Sequence, residues 1–197
     1  MEKTIICIGR EYGSGGHAIG KILAKRTGYE FYDKERFIAI AKERGFEGEV
    51  EEYLEEQPMN SLLYSIAMNY SRPKKKPFPF ELVEELAAEK PCIIIGRCAG
   101  YLTREQDNAF SVFIHADLED RIKNVAKLNE LTDNKAKDLI HKTDKRRASY
   151  YNYYTNKKWG EAASYELCLN SSELGVQGTA KAIEQYILCL LYTSDAA

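Results

Sequence analysis

CIGREYGSGGHAIGKILAKRTG, residues 7–28, decides how the rest of the chain is read. It carries the end of a β-branched apolar run, TIICIG (residues 4–9), through a glycine-rich turn into a helical pattern. Short apolar runs of this composition form strands buried on both faces. In HAIGKILAKRTG the side chains of Ile19, Ile22 and Leu23, with the stem of Arg26, share one helical stripe, and Gly28 stands where a C-terminal cap belongs. Strand, glycine loop and helix together make an anion site, because the orphan N–H groups of the helix start and the positive end of its dipole converge on a phosphate. Gly13, Ser14, Gly15, Gly16, His17 and Ala18 are thereby the candidate nucleotide-phosphate ligands.

The letters of the loop depart from the usual pattern G-x-x-x-x-G-K-[ST]. Placing its lysine on Gly16 puts Arg10 at the first glycine, and placing it on His17 puts Glu11 there. The lysine and the magnesium-organising hydroxyl are replaced among Gly16, His17 and Ala18. Arg10 and Lys21 are close enough in sequence to supply a substitute cation, and His17 could donate to phosphate at the helix start. GSGGHA also satisfies the dinucleotide form G-x-G-x-x-[GA], with Asp33 about twenty residues on as the acidic ribose ligand. A dinucleotide fold turns into its first glycine directly at the strand end. Here GREY intervenes and makes the wider loop that wraps a phosphate, so the phosphate loop is favoured. A glycine turn of purely structural purpose stays open as a third reading.

Working outward, YEFYD (ending at Asp33), CIIIG (residues 92–96), FSVFIHA (110–116) and YELCLN (165–170) read as four further strands. Helical stripes separate or follow them: Leu118, Ile122 and Val125; Ala136, Leu139, Ile140 and Thr143; Val176, Ala180, Ile183 and Ile187. Alternation of this kind predicts an α/β fold with a parallel sheet covered on both faces. Between Lys34 and Pro91 no strand pattern occurs. EGEVEEYLEEQ and NSLLYSIAMNY predict short helices in an insert, broken by Pro58 and by RPKKKPFPF, which reads as a hinge or loop.

With 197 residues and 44% hydrophobic content, the chain can bury one domain with a small insert. A formal charge of −2 gives no global attraction to nucleic acid or anionic membrane, so anion recognition must come from local clusters. The longest apolar runs, CIII and YILCLLY, fall far short of the roughly 18 residues that span a bilayer, and a soluble cytoplasmic protein is expected. Five cysteines without close-pair spacing make neither a disulfide framework nor a zinc site; Cys7 and Cys92 read as small buried hydrophobes. CLLYTSDAA (189–197) resembles translated sequencing-library adapter, so the expected domain is 1–188 with a non-native tail.

In order along the chain, GREYGSGGHAIGKILAKRTGYEFYDKE, CIIIGRCAGYL, FIHADLEDRI, KTDKRRASYYNYYTNKKWG and YELCLNSSELG resemble the cytidylate kinase-like family of P-loop proteins, across Thr4 to about Ile187. The resemblance implies a P-loop nucleoside monophosphate kinase fold: a five-stranded parallel sheet flanked by helices, a helical monophosphate-binding insert over about 34–90 and a basic lid over about 143–163. It implies ATP and Mg2+ as cofactors and a nucleoside monophosphate acceptor, with CMP or dCMP as candidates. The family carries the GSGG form of the loop.

By the same resemblance Arg97 matches the arginine that grips the acceptor's phosphate, a task suited to a planar guanidinium holding two oxygens at once. Cys98 stands where the family's kinases carry an aspartate, which removes a hydrogen-bonding substrate contact. Lys145, Arg146, Arg147, Lys157 and Lys158 lie among Tyr150, Tyr151, Tyr153, Tyr154 and Trp159, where a lid would close. Arg146 and Arg147 would stabilise charge on the transferred phosphoryl. Asp33 would orient the acceptor or a magnesium-bound water, or simply cap the helix that follows it. Asn170 and Ser171 would contact the donor's base or ribose, and no metal ligand is assigned. Arg97 as a plain surface arginine, the lid as a solvated helix face, and the basic-aromatic stretch as a single-stranded RNA platform are the competing readings; no RNA-binding fold supports the last. Two functional alternatives stand beside the kinase: a nucleotide-binding or regulatory module that performs no transfer, and a kinase of another small metabolite.

Overall fold

The computed structural model describes residues 4–45 and 78–194. Its centre is a sheet of five parallel strands in the order β2-β3-β1-β4-β5, formed by β1 (Ile5–Arg10), β2 (Glu30–Tyr32), β3 (Cys92–Ile95), β4 (Ala109–His115) and β5 (Leu167–Asn170). All five strands expected from the sequence are present, with ends shifted by a few residues at most. The central pair reads as unbroken apolar runs because helices cover both faces.

Side chains of a strand alternate between faces, and β1 divides its residues accordingly. Ile5 and Cys7 join Tyr32, Phe37, Leu82 and Leu86 in one core. Ile6 and Ile8 join Ile19, Leu23, Ala180 and Ile183 in the other. The first core lies under α2 (Lys34–Glu43) and α3 (Phe78–Glu89); the second lies under α1 (Gly16–Thr27) and the last helix. Each fully buried isoleucine or leucine contributes about 1.5–3 kcal/mol. Gly28 ends α1 in the left-handed conformation, its N–H donating to Ala24 O, as its position in the sequence predicts.

After β3 comes the single turn α4 (Ala99–Leu102), and after β4 comes α5 (Leu118–Asn129). The next helix, α6, runs unbroken for 23 residues, Asp133–Thr155. Arg146 and Arg147 therefore ride on a long helix rather than on a loop. No glycine or proline falls within it, and Ala136, Ile140, Thr143 and Tyr150 keep one stripe buried. Lys157, Lys158 and Trp159 follow its end. The final helix, α7 (Ser171–Ser194), bends at Gly175 and passes residue 189 without a break, with Leu190 packed on the second core. The acidic segment 47–57, the segment 60–70, Pro58 and residues 72–77 of the proline-rich stretch lie outside the described residues. Among the described residues no helix is long and apolar enough to cross a membrane.

In a parallel sheet of this kind the strand ends carry the ligand site. The C-terminal ends of β1, β3 and β4 bring the loop 11–15, the turn at Gly96–Cys98 and His115 to one rim of the sheet.

Candidate active site

β1 ends at Arg10, and five residues separate it from α1. Gly13 (φ 85) and Gly15 (φ 78) are left-handed, and at Gly13 an added Cβ would stand 2.8 Å from Val125 Cγ2 and 2.9 Å from Arg121 O. Only glycine lets the loop pass so close to α5. Gly15 is the N-cap of α1 and offers no side-chain acceptor, and the first turn contains no acid. The first intrahelical bond is Ile19 N to Gly15 O, so the N–H groups of Gly16, His17 and Ala18 belong to the orphan set that an anion can satisfy. The N–H (3.3 Å) and Oγ (2.8 Å) of Ser14 both donate to Glu11 O, and the residue is buried, so it closes the loop internally.

The loop's carbonyls are held from outside. Arg147 Nη1 donates to Arg10 O (3.1 Å), Arg121 Nε to Tyr12 O (2.8 Å), Asn124 Nδ2 to Gly13 O (3.0 Å) and Ser171 Oγ to Ser14 O (2.7 Å). With those carbonyls fixed, the loop is rigid before any ligand arrives, which spares a ligand the cost of ordering it. Arg121 is the hub: buried, it bridges Glu11 Oε2 (3.0 Å) and Asp144 Oδ2, while Asp144 Oδ1 accepts the N–H of Tyr12 (2.8 Å). Sequence reasoning missed Arg121, Asn124, Glu11 and Asp144. A signal for Arg121 existed, since it stands three residues after Leu118 and four before Val125, a cation placed along an apolar stripe. Ser171 and Asn170, expected at the donor's base or ribose, make hydrogen bonds within the chain. Ser171 holds the loop and lies 3.1 Å from His115 O, and Asn170 bonds Asp117 Oδ1 (3.1 Å) and the N–H of Ser172 (3.0 Å).

Beside the loop opens a cleft. Arg10, Arg97 and Arg147 line it, with Cys98, Ser111, Tyr150, Tyr151, Trp159 and Tyr165 in its walls and no aspartate or glutamate among the described residues that line it. Arg97, only 6% exposed, sits in a run of three left-handed residues, Gly96 (φ 76), Arg97 (φ 59) and Cys98 (φ 55). Left-handed backbone at Arg97 and Cys98 is strained, and strain of this kind concentrates where a side chain must be aimed. Cys98 caps α4 and is itself buried. Burial pushes the Tyr165 phenol up from its ordinary value and does the same to Tyr151, so both wall hydroxyls stay protonated. Arg147 stacks over Tyr12 with its guanidinium carbon 5.5 Å from the ring centroid. Arg146 is half-buried and does not line the cleft; its Nε has no hydrogen-bond partner among the described residues. Cys7 and Cys92 lie inside the sheet, and burial pushes both thiols up to about 12, which leaves them inert.

His17 and Asp33 meet across the start of α1, with Nε2 to Oδ2 at 2.9 Å. Asp33 Oδ1 accepts the N–H of Arg36 (3.0 Å) and so caps α2. Burial raises the Asp33 carboxyl, but the His17 and Arg36 hydrogen bonds with the nearby charges outweigh it and hold the group below its ordinary value. It is a carboxylate at neutral pH. Glu35 brings a further oxygen, and ligand atoms of His17, Asp33 and Glu35 lie within 4.8 Å of one another. The carboxylate oxygens of Asp33 and Glu35 are the hard donors of this group that Mg2+ takes beside water and phosphate oxygen, while the His17 imidazole is not a donor of that kind and pairs with Asp33 instead.

A parallel 2-3-1-4-5 sheet with an uncapped glycine loop running into α1, beside an arginine-lined cleft, defines a P-loop kinase fold. The chain belongs to the cytidylate kinase-like family, whose model matches residues 5–173. No curated protein matches the sequence. Among solved structures, an uncharacterized protein from Eubacterium ventriosum is 29% identical with a TM-score of 0.72, over 93% of this chain and 98% of that one. A shikimate kinase from Bacteroides thetaiotaomicron (13% identical, TM-score 0.54, 93% of this chain and 98% of that one) shares the fold. So does a gluconokinase from Sinorhizobium meliloti (12% identical, TM-score 0.54, 98% of each chain).

Proposed function

We propose that this protein transfers the γ-phosphoryl group of ATP to a phosphorylated small molecule, a nucleoside monophosphate such as CMP or dCMP being the leading acceptor. The observation that carries this reading is the meeting of Arg97 and Arg147 in one cleft beside the uncapped start of α1. The amides of Gly16, His17 and Ala18 take the donor's phosphates. Arg97, fixed by its buried and strained turn, takes the acceptor's phosphate with two parallel hydrogen bonds. Arg147, with Arg146 on the same helix, meets the charge that spreads over the transferred group. Asp33 and Glu35 would hold Mg2+, which supplies charge neutralisation between the donor's phosphates when bound. The stretch 143–163 acts as the lid that excludes water, and about 34–90 as the acceptor-side insert.

Release of ADP from ATP and Mg2+, measured separately with each common nucleoside monophosphate and with small hydroxylated metabolites, tests the reading. Acceptor-dependent release with one of them supports it. A second reading, a nucleotide-binding module without transfer, is favoured by the absence of both the lysine and the hydroxyl of the usual pattern from Gly16, His17 and Ala18; it requires tight ATP binding with no acceptor-dependent release. A kinase of another small metabolite remains the third, and the same panel separates it.

A further inference from the structure

We infer that Arg10 supplies the cation of the phosphate loop, so that the glycine and the positive residue at the two ends of the usual pattern have exchanged places. The inference deepens the proposed kinase reading and rests on it. When the pattern's lysine is placed on Gly16, its first glycine falls on Arg10. The structure gives that exchange a spatial basis.

Arg10 follows Ile6 and Ile8 on the α1 side of β1, by the two-residue alternation of a strand. An ideal Cβ built on Gly16 would lie 2.6 Å from Arg10 Cβ and 2.9 Å from Arg10 Cγ. The arginine stem thus fills the room in which a side chain at position 16 would begin. Farther out, a Cβ on Gly96 would collide with Arg10 Nη1. The side chain therefore spans from the first residue of α1 to the turn that carries Arg97, and it lines the cleft with Arg97 and Arg147. That span joins the donor end of the site to the acceptor end. The base of the side chain is fixed, because Arg10 pairs with Ile114 in the sheet and its carbonyl accepts from Arg147.

Lys21, the other candidate cation, is exposed, and its charge bears on Asp33 instead. In the transfer step the bond from the γ-phosphorus to the bridging oxygen of ADP breaks while the bond to the acceptor oxygen forms. Arg10 gives and takes no proton; its planar guanidinium holds phosphate oxygens through both changes.

The test is a set of variants of the full chain titrated with ATP and with AMP in the presence of Mg2+, each melted without nucleotide to check folding. Arg10→Met should weaken ATP binding roughly tenfold to hundredfold, the range of one charged contact, and change AMP binding far less. Arg10→Lys should recover part of the loss. Gly16→Lys alone should bind ATP poorly because its Cβ meets Arg10. The double variant Arg10→Gly with Gly16→Lys, which rebuilds the usual loop, should bind ATP better than either single variant. ATP affinity unchanged in Arg10→Met overturns the inference while leaving the nucleotide site standing, as does a Gly16→Lys variant that binds normally. If the double variant does not fold, Arg10→Met against Arg10→Lys decides. A wild-type chain that binds neither ATP nor ADP overturns the nucleotide reading and this inference together.

Discussion

The backbone N–H of Tyr12 donates to Asp144 Oδ1 at 2.8 Å, joining the phosphate loop to the long helix that carries Arg146 and Arg147. Asp144 also receives Arg121, whose guanidinium holds Tyr12 O and Glu11 on its other sides. The loop is thereby tied to α6 at Asp144 by one ionic cluster built on the buried Arg121.

That cluster should be costly to break. Arg121→Met removes the buried cation shared by Glu11 and Asp144, both partly exposed, and a charge-assisted contact of this kind is worth about 1.5–3 kcal/mol. For a chain of this size the melting temperature should fall by on the order of 10 °C. Thermal denaturation reads it directly; a fall of only a degree or two would mean that the cluster is solvated and contributes little.

Nucleotide should stabilise the folded chain by mass action, and the effect should depend on the loop backbone. Gly15→Val forces a β-branched residue into left-handed backbone (φ 78) and brings a Cβ within 3.1 Å of Val176 Cγ2. The ADP-induced rise in melting temperature should disappear in this variant. Persistence of the full rise would place the nucleotide elsewhere.

Asp33 gives a prediction in pH. Its folded-state value lies below the ordinary 3.8, so its contribution to stability is fully present above 3.8 and is lost as pH falls through the lower folded-state value. Asp33→Ala should cost about 1 kcal/mol at neutral pH, the worth of a helix cap. Denaturant titrations at successively lower pH should show the difference between wild type and variant shrinking only in the acid range. A difference that closes between pH 5 and 7 would contradict the assignment.

Much of this arrangement was legible in the sequence because it rests on local chemistry. The strands declare themselves through runs such as Cys92–Ile95, all buried, and α1 through its stripe and its Gly28 cap. The loop was legible as a strand-to-helix glycine turn. What was not legible depends on partners far apart in the chain. Arg121 reads as one more charge in ADLEDRIK until Glu11 and Asp144 fold against it, and Ser171, expected at the donor's base or ribose, shows its hold on the loop only when Ser14 O lies 2.7 Å away. The pairing of His17 with Asp33 needs β2 to bring residue 33 beside α1. The length of α6 was hidden for another reason: its second half is rich in arginine and tyrosine, a composition that fits a lid as readily as a helix.

The assignment of Arg97 to the acceptor is tested most directly by steady-state transfer from ATP to the best acceptor of the panel, with acceptor concentration varied in wild type and Arg97→Ala. A ground-state phosphate contact should raise the acceptor KM by roughly tenfold to hundredfold with a much smaller change in kcat, because binding shared by ground and transition states acts on KM. The Arg146→Ala/Arg147→Ala variant should show the opposite split, with kcat falling most. An Arg97→Ala enzyme with unchanged acceptor KM, or a wild type that binds ATP tightly yet transfers to no acceptor, would contradict the account.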